Sequence, residues 1–96
     1  MDLISVIVVS YNSANTIIET LESIKLQTYP NIQIVISDDG SIDNTVEIAE
    51  NWSKSNQVNY IIVKSDKNTG ISANCNRGIQ NAEGKYFKII AADDRL

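Results

Sequence analysis

Leu3-Ile4-Ser5-Val6-Ile7-Val8-Val9 is rich in β-branched residues and almost unbroken in apolarity, with Ser5 the one polar interruption. A strand with one wet face alternates polar and apolar residues, whereas a strand covered on both faces does not. The run therefore predicts a central strand of a parallel sheet, with helices packed on each side. It is too short to span a bilayer, and no basic segment precedes it, so it does not read as a signal peptide.

Outward from this strand the pattern repeats. After the polar break Ser10–Asn15, Ile17, Ile18, Leu21 and Ile24 fall at helical spacing. Thr16 and Glu19 are placed as a capping box, and Pro30 sets the far limit of that helix. Ile32–Ser37 predicts a second strand. The segment Asp43–Ser53 predicts a second helix, with Val46, Ala49 and Trp52 on its inner side. Tyr60–Val63 reads as a third strand, Asn68-Thr69-Gly70 as a turn, Ile71–Asn81 as a third helix and Tyr86–Ala91 as a fourth strand. Strands that alternate with helices in this way specify an α/β fold with right-handed crossovers. No repeat or linker divides the chain, which reads as one unit over 1–96.

Composition narrows the chemistry. The 96 residues carry a net charge of −4, the wrong sign for non-specific nucleic-acid binding. Histidine is absent, which excludes histidine-dependent triads, zinc–histidine sites and histidine general bases. The single cysteine, Cys75, cannot form an internal disulfide and suits a reducing compartment.

In a parallel sheet of this kind ligands bind at the carboxyl ends of the strands, where the strand order reverses. Those ends carry Ser10-Tyr11-Asn12, then Asp38-Asp39-Gly40-Ser41-Ile42-Asp43, then Asp66 with Asn68-Thr69-Gly70, and finally Asp93-Asp94. Two acidic pairs on one edge would repel each other unless neutralised, and a hard divalent cation shared with a phosphorylated ligand is one remedy. No Gly-rich dinucleotide loop and no Walker A sequence is present, so phosphate binding would run through such a cation. Each residue also has a plainer reading. Asp38, Ser41 and Asp43 can cap a turn and the following helix. Asn12, Asn15 and Asn68 can be turn residues, Trp52 and Cys75 packing residues, Gly70 a backbone requirement, and Arg77 a solvated charge. A receiver-like regulatory domain also gathers aspartates around magnesium, but it needs an acidic pair after the first strand and a lysine after a fifth. Here the first strand ends in Ser10-Tyr11-Asn12. A non-catalytic binding module on the same half-fold is the remaining alternative.

Taken in order, several segments resemble the N-terminal part of family 2 glycosyltransferases. They are Ser5–Asn12, Leu21-x-x-Ile24-x-x-Gln27, Asp38-Asp39-Gly40-Ser41-x-Asp43, Asn68-x-Gly70, Asn76-x-Gly78-Ile79, Ala82-x-Gly84-x-Tyr86 and Asp93-Asp94. The resemblance implies a mostly parallel, Rossmann-like GT-A sheet with helices on both faces, ending after the fourth strand. It implies transfer of a monosaccharide from a nucleotide-diphosphate sugar, usually a uridine diphosphate sugar, to a glycan or lipid-linked acceptor. It also implies a divalent cofactor, Mn2+ or Mg2+. Carried over, Ser10, Tyr11 and Asn12 lie along the base, Asp39 accepts the pyrimidine N–H, and Asp93 and Asp94 divide the metal and ribose roles between them. Ala91 stands where many members have the first carboxylate of Asp-x-Asp-Asp, which leaves open which of Asp93 and Asp94 ligates the metal. The family's general base is expected downstream of Leu96, so this chain by itself is expected to bind donor without transferring its sugar. Polysaccharide biosynthesis for the cell envelope, by a protein in the cytoplasm or peripheral at the cytoplasmic face of the membrane, completes the expectation.

Overall fold

The computed structural model describes residues 2–27 and 31–92. Along these run β1 (Ile4–Ser10), α1 (Ile17–Lys25), β2 (Ile32–Asp38), α2 (Thr45–Ser55), β3 (Tyr60–Lys64), α3 (Ile71–Asn81) and β4 (Tyr86–Ala91). All strand pairs are parallel, in the order β3-β2-β1-β4. β1 is thus central, as its unbroken apolarity requires, and Val6, Ile7 and Val8 are fully buried.

The two faces are covered differently. Val6, Val8, Ile34 and Ile36 meet Ile17, Leu21 and Ile24 of α1 and Ala49 and Trp52 of α2 in the main core. On the other face α3 lies over β1, β2 and β3. It comes very close there, because a Cβ on Gly78 would stand 2.5 Å from Ile7 Cγ2 and 3.2 Å from Ser37 Cβ. A buried polar lattice adds order near the amino end of β1. Ser5 Oγ donates to Gln33 Oε1, Gln33 Nε2 donates to Glu83 Oε1, and the Gly84 N–H donates to Ser5 Oγ.

Local details depart from the sequence expectations for definable reasons. Thr16 makes no side-chain cap; its hydroxyl turns back to the Ser13 carbonyl. Ile18 is half exposed, because the inward stripe of α1 runs Ile17, Thr20, Leu21, Ile24 and places Ile18 at its margin. The second helix begins at Thr45 rather than Asp43, and its buried side is Thr45, Ala49, Trp52 and Ser53, with Val46 only partly covered. Asp43 stays outside as an Asx turn, its Oδ1 accepting from the Thr45 N–H and hydroxyl. β4 forms as expected over Tyr86–Ala91; it is an outer strand among the described residues, with Tyr86, Phe87 and Ile89 exposed.

Candidate functional site

The chain adds β2 and β3 to one side of β1 and then crosses back over the other face through α3 to place β4 on the opposite side. The order therefore reverses between β1 and β4, and a crevice opens at their carboxyl ends. A cavity of about 250 Å³ occupies it, lined by Val9, Ser10, Tyr11 and Ser13 after β1, Ala91 and Ala92 after β4, Asp39 after β2, and Ile71 and Asn74 of α3. Main-chain bonds fix its floor. The Asp39 N–H donates to the Ser10 carbonyl and the Ala92 N–H to the Val9 carbonyl, both at 2.9 Å.

Asp38 and Asp39 leave β2 on opposite faces, as successive strand residues must. Asp38 is buried, and its carboxylate accepts from Ser10 Oγ at 2.7 Å, Ser41 N at 2.8 Å and Ser41 Oγ at 2.6 Å. Asp39 faces the cavity and holds the turn before α3. Its Oδ1 accepts from the Thr69 N–H at 2.8 Å and the Thr69 hydroxyl at 2.5 Å, and its Oδ2 from the Gly70 N–H at 2.9 Å. The Arg77 guanidinium stands 3.7 Å from Oδ1. Burial alone would raise the Asp39 pKa. The Thr69 hydroxyl, the two N–H donors and Arg77 together outweigh burial and hold it below the usual carboxylate value. Hydrogen-bond donors thus surround both carboxylates of this pair, and the Arg77 charge stands beside Asp39. Gly40 makes the arrangement possible. It adopts φ +82°, and a Cβ there would meet the Lys67 carbonyl carbon at 2.6 Å.

The predicted base-contacting residues behave differently from one another. Tyr11 is half exposed at the cavity wall, free to offer its ring. Ser10 lines the cavity, but its hydroxyl is committed to Asp38. Asn12, at φ 48°, is not among the lining residues. Its N–H donates to Ser41 Oγ and its Oδ1 accepts from the Ile42 N–H, so it braces the loop after β1 against the loop after β2. Asp93 and Asp94 lie outside the described residues. Ala92, directly before them, is buried at the cavity. Ala91 also forms part of its wall.

Three residues at the site were given no role in it from sequence. Thr69 is the anchor of Asp39. Asn74 is a buried polar residue of the lining. Arg77 is not a solvated charge, because it donates to Asn74 Oδ1 at 2.8 Å and Thr69 Oγ1 at 2.7 Å. The available signal was helical spacing: Asn74 and Gly78 share one face of α3, and Arg77 is one turn from Asn74. A second hollow, of about 600 Å³, lies beside α2 among Asp38, Asp43, Glu47, Glu50 and Lys64. Two of its carboxylates are spent on Ser41 and Thr45. Among the described residues no group of three or more acidic, histidine or cysteine side chains could hold a metal ion.

The sequence matches the glycosyl transferase family 2 model over residues 5–96. It is 42% identical over 94 residues to glycosyltransferase GlyG of Streptococcus pneumoniae, covering 97% of this chain and 31% of that protein. It is 36% identical to the Escherichia coli UDP-Glc:alpha-D-GlcNAc-diphosphoundecaprenol beta-1,3-glucosyltransferase WfaP, covering 98% of this chain and 36% of that one. Among solved structures, S. aureus TarS 1–349 in complex with UDP-GlcNAc superimposes with a TM-score of 0.88 at 33% identity, covering 99% of this chain and 27% of that chain. The mannosyltransferase PcManGT from Pyrobaculum calidifontis, in complex with GDP-Man and Mn2+, gives 0.91 at 28% identity, covering 97% and 28%. The chain therefore spans about a third or less of these proteins. Its four parallel strands and three helices, among the described residues, are those of the GT-A fold, and the chain belongs to glycosyl transferase family 2.

Proposed function

We propose that the cavity between β1 and β4 binds the nucleotide of a nucleotide-diphosphate sugar, a uridine diphosphate sugar by preference. The whole protein would transfer the hexose to a glycan or lipid-linked acceptor in polysaccharide assembly for the cell envelope. The observation that carries this reading is Asp39, a pre-oriented ionised acceptor in a cavity at the switch point of the sheet, beside the half-exposed ring of Tyr11. An acceptor-only group suits a ring N–H, and uracil has one. A relative in this family is solved with UDP-GlcNAc and another with GDP-Man, which supports the donor class.

The relative solved with Mn2+ supports a divalent cofactor, Mn2+ or Mg2+. Asp38 and Asp39 are poor candidates to hold it, since their oxygens already accept from Ser10, Ser41, Thr69 and Gly70. Asp93 and Asp94, which follow Ala92 at the cavity, are an all-oxygen donor pair suited to a hard cation. When bound, such a cation neutralises diphosphate charge as the nucleotide leaves. This chain's own residues do the rest of the binding: Asp39 accepts from the base, Tyr11 offers it a ring face, and one of Asp93 and Asp94 is left for the ribose. The base that deprotonates the acceptor is assigned to the protein beyond Leu96. We place the protein in the cytoplasm or peripherally at the cytoplasmic face of the membrane, a reading supported by the lone cysteine.

Calorimetric titration of uridine diphosphate into the chain, with manganese, with magnesium and with chelator, tests the reading. Binding is expected with either metal and is expected to weaken clearly in chelator. Equal affinity in all three conditions would remove the cation from the site.

A further inference from the structure

Among the described residues, Asn74 is the one buried polar side chain of the cavity that the reading above leaves without a task. It is 4% exposed and lines the cavity with Asp39 and Ser10. Its Oδ1 accepts from Arg77 Nη1 at 2.8 Å and lies 2.8 Å from Ser37 Oγ. A guanidinium has donors and no acceptor. That contact therefore fixes which end of the amide faces Arg77, and it turns the NH2 toward the end of β1. There Nδ2 reaches the Ser10 carbonyl at 3.5 Å, the outer limit of a hydrogen bond. An amide nitrogen carries two hydrogens, so at least one remains for a ligand. Asp39 has the opposite polarity in the same cavity. Its Oδ1 is filled by the Thr69 N–H and hydroxyl, whereas Oδ2 accepts, among the described residues, from Gly70 alone and keeps a lone pair.

We propose that Asn74 is a specificity-determining residue of the base site. Its NH2 donates to the ring carbonyl adjacent to the N–H that Asp39 Oδ2 accepts. This rests on the uridine reading given above. The pair Asn74–Asp39 reads an acceptor next to a donor. Uracil presents that edge, a carbonyl beside the ring N–H. Cytosine presents the reverse, an amino group beside a ring nitrogen lone pair that faces an ionised carboxylate with no proton between them. Guanine shares the carbonyl and N–H order on a larger ring, so the pair separates uracil from cytosine. Arg77 is a positioning residue: it holds the amide in this orientation, and through Thr69 and its own charge it also supports Asp39.

The test is the ratio of affinities for uridine diphosphate and cytidine diphosphate, measured by calorimetry with manganese on the unsubstituted chain, Asn74→Ala and Arg77→Met. The unsubstituted chain is expected to favour uridine diphosphate. Asn74→Ala is expected to weaken it roughly three- to tenfold, the worth of one neutral hydrogen bond, while cytidine diphosphate changes little. Arg77→Met, at a partly exposed residue, should narrow the ratio in the same direction because the amide is released to turn over. It supplies the answer if Asn74→Ala fails to fold. A ratio unchanged in the folded variants overturns the assignment, as does equal affinity of the unsubstituted chain for both nucleotides. In both cases the uridine diphosphate site itself stands. No binding of uridine diphosphate at all overturns the site and the assignment together.

Discussion

Before any ligand arrives, the Asp39 carboxylate already accepts from the Thr69 N–H, the Thr69 hydroxyl and the Gly70 N–H. Those donors order the turn leading into α3 and orient the acceptor that remains for a base. Asp39→Asn keeps the shape but sets an NH2 group against N–H donors, so it should cost about 1–3 kcal/mol of stability and also weaken uridine binding. The pH dependence has a definite sign. The folded pKa of Asp39 lies below its unfolded value, and so does that of Asp43, through the Thr45 hydroxyl and then, against the pull of burial, the Thr45 and Ala14 N–H groups. The unfolded chain therefore binds more protons, and stability is fully present above a pH of about 4 and lost as pH falls through the folded values. Urea midpoints from pH 6 down to pH 2 should fall along that limb, and less steeply in Asp39→Asn. An identical slope in the two proteins would mean that Asp39 is not preferentially ionised in the folded state. Asp39 itself was legible in the sequence, because an acidic residue after a buried strand stands out. Its anchor was not. Thr69 lies 30 residues away, and nothing in an Asn-Thr-Gly turn says which carboxylate it will meet.

At the scale of elements the strands were plain and the helix edges were not. Seven nearly continuous apolar residues leave β1 no arrangement but burial on both sides, and β2 follows it residue for residue from Ile4 opposite Ile32 to Ser10 opposite Asp38. Helix starts depend on which of several polar residues takes the cap, so Asp43 closed a turn instead of opening α2, and Thr16 turned back to Ser13. β4 runs over Tyr86–Ala91 as read from the sequence, but the sequence did not say beside which strand it would pair. α3 is where packing is tightest and where a single methyl group should be felt. An alanine normally favours a helix over glycine by about 1 kcal/mol. At Gly78 the added methyl would press on Ile7 at 2.5 Å and Ser37 at 3.2 Å, so Gly78→Ala should instead destabilise by about 1–3 kcal/mol. Ser72→Ala, on the exposed side of the same helix, should be neutral or slightly stabilising. Urea unfolding of both variants checks this, and a Gly78→Ala protein as stable as the parent would mean that α3 is free to lift from the sheet.

For the molecule as a whole, small size makes ligand binding and stability hard to separate. The radius of gyration, 12.0 Å, is close to the roughly 12.5 Å expected of a compact chain of this length. Compactness at this size still leaves a thin margin, because a small domain buries a smaller share of its surface. A ligand that binds only the folded state adds about 2.7 kcal/mol at a hundred times its dissociation constant. A domain of this length shifts its melting midpoint by about 4–8 °C per kcal/mol, so saturation should raise the midpoint by roughly ten degrees or more. Manganese together with uridine diphosphate should produce that rise, and either alone a smaller one, because the cation and the diphosphate complete each other's coordination. Asp93→Ala combined with Asp94→Ala separates ligand response from folding. If these carboxylates hold the cation, removing them abolishes the ligand-dependent rise and raises the ligand-free midpoint slightly, since an unneutralised acidic pair is lost. If they serve the fold, the ligand-free midpoint falls and the rise on adding manganese and uridine diphosphate survives. Differential scanning fluorimetry of the two proteins, with and without each component, distinguishes these outcomes.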